Sequence, residues 1–86
     1  MDKTANSTPL GMVEKIMLDR FAKGSGTPRS EAYKLGTLFI LDARIVGSHP
    51  GRMPYAIGSA EADAYFAGQV EGLALFLVHQ AAGSNA

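Results

Sequence analysis

Few residues in this chain have both the type and the spacing to do chemistry. His49 and His79 are its two histidines. His49 stands in a Ser-His-Pro-Gly turn, and His79 falls near the end of a helical pattern, where an imidazole suits the negative end of the helix dipole. Neither has a carboxylate or nucleophile at a spacing that builds a catalytic set. Asp63 and Glu71 are eight residues apart and share a helix face only approximately, so they read as solvated surface. The glycine turns at 24–26 and 47–51 lack the following Lys-Ser or Lys-Thr of a phosphate loop, and no Gly-x-Ser-x-Gly elbow occurs. The expectation is a non-enzyme with no cofactor and no metal. The absence of Cys removes thiol chemistry and disulfides, which points to an intracellular, cytoplasmic setting.

The most informative stretch is 59–79, SAEADAYFAGQVEGLALFLVH, a single helical pattern with two glycines inside it. Each costs about 0.5–1 kcal/mol relative to Ala in a helix. Ala60, Ala64, Gly68 and Gly72 recur every four residues and form one ridge of small side chains. Such a ridge lets another backbone come close, either in this chain or in a second copy.

The elements around that helix follow from caps and periodicity. Thr8-Pro9 opens a helix predicted over 9–23, with Leu10, Val13, Ile16, Met17 and Phe21 on its apolar face and an Asp19–Lys23 ion pair on the other. Thr27-Pro28 predicts a second start and a helix over 28–47. Its faces are Ala32, Leu35, Gly36, Phe39, Ala43 and Val46 on one side and Leu38, Leu41 and Ile45 on another. Lys34, Thr37, Asp42 and Arg44 are left as its polar surface, so this helix is expected at the centre of the core. Pro54 stiffens the connection, Ser59 caps the third helix over 59–81, and Ala62, Phe66, Val70, Leu73, Phe76 and Leu77 are its expected core face. Beyond the two Thr-Pro starts no internal repeat stands out.

The expected fold is therefore all-α: one domain spanning 1–86 and ordered over about 8–81, in which helices two and three form an antiparallel hairpin and helix one packs across them. At 86 residues the chain buries only about 60% of its unfolded surface, so a homodimer is expected, with the small ridge as a contact. A hydrophobic content of 47% is too high for a disordered chain, yet no run of 18 uncharged apolar residues occurs, so no membrane is expected as a partner. Charge is uneven. All eight basic residues lie in the first 52 positions, which carry a net +3, and the remainder carries −3. A basic face on the first half would meet an acidic partner or RNA.

One family pattern overlaps these features. Tyr33-x-x-Gly36, then Met53-Pro54-Tyr55, then Tyr65-x-x-Gly68-x-x-Glu71-Gly72, resembles the ribosome modulation factor family. Here Met53 stands for that family's Cys, Gln69 for its second aromatic and Gly72 for its Ala. The resemblance covers residues 33–72, about half the chain. It implies a helix–loop–helix core and a non-catalytic protein that binds the ribosome; on that reading Arg29, Tyr33, Lys34, Arg52, Tyr55 and Tyr65 are the binding residues, while Gly36 and the ridge of Ala60, Ala64, Gly68 and Gly72 are the packing residues. It also implies that the basic side chains gather with Tyr55 on one exposed face, against a ribonucleoprotein rather than free DNA. The alternative is a small inhibitor or adaptor, such as a phage or mobile-element antagonist, that grips a host protein complex through an exposed apolar patch.

Overall fold

The computed structural model describes residues 8–22, 28–48 and 51–84. It is all-α, with no strand among the described residues: α1 (Pro9–Phe21), α2 (Glu31–Leu41), a π-helical segment that continues α2 (Asp42–Val46), and α3 (Ala60–Ser84). Thr8 caps α1 as its sequence predicts, its Oγ1 accepting from Gly11 N at 2.9 Å. The second helix starts three residues later than expected. Pro28 to Ser30 stay outside it, and Ser30 is the cap, its Oγ accepting from Tyr33 N at 3.2 Å. Ser59 caps α3, accepting from Ala62 N at 3.1 Å and donating to Ala56 O at 2.7 Å. The Asp19–Lys23 pair falls outside the described residues, and Asp19 instead meets Lys15 at 3.4 Å.

The main contact of the fold is between α2 and α3. Its direction corrects the expected antiparallel hairpin. Ala32 and Ala64 line one groove, Gly36 lies against Tyr65 and Gln69, Gly68 against Tyr33 and Thr37, Gly72 against Thr37 and Ile40, and Arg44 over Phe76. Residue numbers rise together along both helices, so α2 and α3 run parallel. The described residues of the connection lie alongside α2, with Pro54 and Tyr65 lining one pocket beside Leu35, Leu38 and Phe39. An antiparallel pair needs only a short turn; this return needs the whole connection, which Gly47 begins in the left-handed conformation (φ 85°) and Gly58 closes in the same region (φ 90°).

The parallel pair rests on a repeat the sequence reading overlooked. Glu31-Ala32-Tyr33-x-x-Gly36 recurs 32 residues later as Asp63-Ala64-Tyr65-x-x-Gly68, and Leu41 and Val46 recur as Leu73 and Val78. The two copies pack about a pseudo-two-fold axis. A Cβ on Gly36 would strike the Tyr65 carbonyl and lie 3.1 Å from Gln69 N; one on Gly68 would strike the Tyr33 carbonyl and lie 3.1 Å from Thr37 N. Each glycine thus faces the equivalent pair of residues on the other helix. Contact this close places Cα hydrogens against carbonyl oxygens, a weak attraction that only glycine permits here.

This crossing overturns the expected core faces. At the close backbone contact α3 places Gly68 and Gly72; Ala62 and Tyr65 are its other buried residues, and most of its large apolar side chains stand exposed. Of the expected face only Ala62 is buried. Phe76 is half-buried, and Phe66, Val70, Leu73 and Leu77 are exposed by 45%, 71%, 37% and 53%. Thr37, expected on the surface, is fully buried, because its Oγ1 sits 3.1 Å from the Tyr33 carbonyl and 3.0 Å from the Gly68 carbonyl, between the helices. Leu41 is also fully buried. α1 runs antiparallel to α2: Phe21 meets Tyr33 edge-on, while Val13 and Met17 line a groove with Leu38 and Asp42.

Candidate functional site

Two clusters form where the tyrosines of the repeat leave the crossing. Tyr33 and Tyr65 occupy equivalent positions and reach equivalent places, residues 71 and 39, which also stand 32 apart. The chemistry found there differs. Tyr33 donates to Glu71 Oε1 at 2.7 Å. Tyr65, which is buried, packs edge-on against Phe39 and Tyr55 with centroids 6.0 Å apart in both cases.

The Tyr33 cluster joins all three helices. Arg20 of α1 donates Nε to Glu71 Oε2 at 2.8 Å and Nη2 to Oε1 at 3.1 Å, a bidentate pair, while Arg29 stacks its guanidinium 4.6 Å from the Tyr33 ring centroid. The Arg20 and Glu71 side chains are 23% and 19% exposed, so solvent screens this pair only partly. The Arg20 hydrogen bond holds the Glu71 carboxyl below the usual carboxylate range, against the opposing effect of burial. Burial, then the Glu71 hydrogen bond, pushes the Tyr33 phenol up. Sequence reasoning missed Arg20 and Glu71 as partners, since they are 51 positions apart and sit on helices whose relative direction it had reversed.

The other expected binding residues do not converge. Lys34 is half-buried on α2 and Arg52 is exposed on the connection. Tyr55 lines a groove of about 540 Å³ with Ala32, Ala60 and Ala64, and the charged residues beside it are Glu31 and Glu61. The expected basic face around Tyr55 is therefore absent from this groove, whose carboxylates repel phosphate. Ala60 is exposed and Ala64 partly so, while Gly68 and Gly72 are occupied by α2, so half of the small ridge is used within the chain. His49 lies outside the described residues, and His79 is half-buried near the end of α3.

Two surfaces remain. One is a groove of about 580 Å³ between α1 and α2, bordered by Leu10, Val13, Met17, Leu38 and the carboxylates of Glu14 and Asp42. Desolvation beside this groove and the smaller pocket under Pro54 pushes the Asp42 carboxyl up. The other is the outer face of α3, where Phe66, Val70, Leu73 and Leu77 follow one another at spacings of four, three and four. That stripe is apolar and exposed among the described residues. Among the described residues no helix is long and apolar enough to cross a membrane. No family model matches the chain, and neither a curated protein nor a solved structure matches it.

Proposed function

We propose that this chain is a non-catalytic interaction protein, an inhibitor or adaptor that grips a protein complex in the cytoplasm through the outer face of α3. The supporting observation is the exposure of four large apolar side chains, Phe66, Val70, Leu73 and Leu77, along one helix of a small domain. Scattered exposed apolar residues are ordinary; a stripe at helical spacing marks an interaction surface. The residues that carry the ribosome-modulation-factor resemblance favour this reading over RNA binding. Tyr33, Gly36, Tyr65, Gly68 and Glu71 all serve the α2–α3 crossing or its two clusters, so the resemblance speaks to the helix pair. A second copy of the chain is the competing occupant of the same face.

A capture experiment tests the proposal. The tagged chain and its Val70→Glu variant are incubated with lysate, with and without nuclease. Val70 is 71% exposed, so the substitution leaves the melting temperature unchanged. The expected result is a protein captured by the wild type in both arms and lost by the variant. Capture that needs intact RNA and is indifferent to Val70→Glu overturns the proposal in favour of a ribonucleoprotein contact.

A further inference from the structure

Asp42 opens the π-helical segment, and such turns recur at functional sites. The residue is half-buried, and among the described residues its carboxylate has neither a hydrogen bond nor an ion pair. The neighbouring cation, Arg44, is turned toward α3, over Phe76. What borders the carboxylate is hydrocarbon. On one side is the groove of about 580 Å³ between α1 and α2, walled by Val13, Met17 and Leu38. On the other is a pocket of about 150 Å³ that Asp42 shares with Phe39, Pro54 and Tyr65. Among the described residues the other charged side chain lining these cavities is Glu14, again an acid. An anion held among apolar side chains without a partner costs stability, and groups kept at such a cost mark binding sites. We propose that the α1–α2 groove binds a small alkylammonium ligand, its cationic nitrogen on Asp42 and its hydrocarbon tail along Val13, Met17 and Leu38.

The lining selects this chemistry over its neighbours. Two carboxylates and no base among the lining residues repel an anion. A neutral apolar molecule would desolvate Asp42 further and give it no partner. A cation offsets the penalty that burial already places on the ionised carboxyl. The aromatic residues of the adjoining pocket, Phe39 and Tyr65, suit a positive charge as well. An extended peptide fits poorly, because its backbone N–H and C=O groups would find no partners on these apolar walls. Size agrees with a small molecule. The groove volume lies within the range of roughly 300–1,000 Å³ usual for ligand sites. Leu10 and Leu18, at its two ends, are about 12 Å apart along α1 at 1.5 Å per residue, the length of a medium-chain alkyl group.

The probe is n-octylammonium chloride, titrated into the isotope-labelled full chain and followed by methyl shifts and by the side-chain carboxyl carbon of Asp42. 1-Octanol and octanoate are titrated in parallel as the neutral and anionic ligands of equal tail length. The expected result is a saturable shift of the Val13, Met17 and Leu38 methyls and of the Asp42 carboxyl with octylammonium. Octanol and octanoate should bind at least about tenfold more weakly, and Asp42→Asn should weaken octylammonium by a similar factor. The variant keeps the shape of the side chain and removes an unpaired charge, so its loss of binding is not a loss of fold. Absence of binding overturns the proposal, as does octanol binding as tightly as octylammonium, which would make the groove a merely apolar surface. Shifts confined to residues 66–77 overturn it too, since the tail then adsorbs on the α3 face. Loss of capture from lysate on Asp42→Asn, with no octylammonium binding to the wild type, overturns it in favour of a basic side chain of a protein partner.

Discussion

Glu71 and Asp42 are both carboxylates at helix surfaces, and their surroundings push them in opposite directions. Glu71 accepts from Arg20 and Tyr33, so its charged form is favoured in the folded state. Its contribution to stability is complete above the usual carboxylate range and is lost as pH falls through its lowered folded value. Replacing Glu71 by Gln keeps the shape and leaves Arg20 without its anion, at a cost of about 2 kcal/mol at neutral pH. Thermal melts from pH 7 to pH 2 should show the gap between wild type and Glu71→Gln closing at the acid end. Asp42 has the opposite sign. Desolvation raises its pKa, so its ionised form is worse off folded than unfolded, and folding weakens as pH rises through the interval between the ordinary and the raised values. Asp42→Asn should therefore raise the melting temperature at pH 7, and the gain should vanish at a pH where Asp42 is protonated in both states. A gain that persists in acid would assign the effect to packing instead.

At the scale of elements, the α2–α3 crossing turns on Gly36 and Gly68. A methyl at either position lands on a backbone carbonyl of the opposite helix, which cannot move aside as a side chain can. Gly36→Ala and Gly68→Ala should each cost about 3 kcal/mol by overpacking, against a gain in helix propensity of about 1 kcal/mol that applies equally to both. Once the first methyl has forced the helices apart, the second meets less resistance. The double variant should thus lose clearly less than the sum of the two, as denaturant melts would show. Gly51→Ala, which meets no atom within 4 Å, serves as the neutral control. The elements themselves were legible. Thr8, Ser59, the apolar periodicity and the glycine ridge fix three helices and say that two backbones meet. Their direction was not legible, because the 47–59 connection is long enough either to turn once or to run back the length of α2. The repeat at 31–36 and 63–68 does not decide it, since a two-fold axis can relate parallel or antiparallel helices; the direction follows from the contacts further along, Gly72 against Thr37 and Ile40 and Arg44 over Phe76. The core face of α3 was misread for a related reason. Large apolar residues at helical spacing normally mark the buried side, but a close crossing reserves that side for Gly and Ala.

The whole molecule is a symmetric pair of helices with asymmetric cover. α1 closes one side, anchored by Arg20 on Glu71; the other side has aromatic cover near Tyr65 and an open stripe below it. All basic residues precede position 53, and Glu71, one of the three acids of the second half, anchors α1 through Arg20. Leu41 and Leu73 are the same residue at equivalent positions on the two sides, which makes them a controlled comparison. Leu41 is fully buried and Leu73 is 37% exposed. Leu41→Ala opens a cavity in the core and should cost about 3 kcal/mol. Leu73→Ala removes contacts that solvent already replaces and should cost less than about 1 kcal/mol in the isolated chain. With a saturating partner bound, Leu73 becomes covered as Leu41 is, and the same substitution should then lower the melting temperature of the complex by a margin approaching that of Leu41→Ala. Equal costs for the two variants in the isolated chain would mean that the α3 face is already filled, and the division of the molecule into a closed and an open side would be wrong.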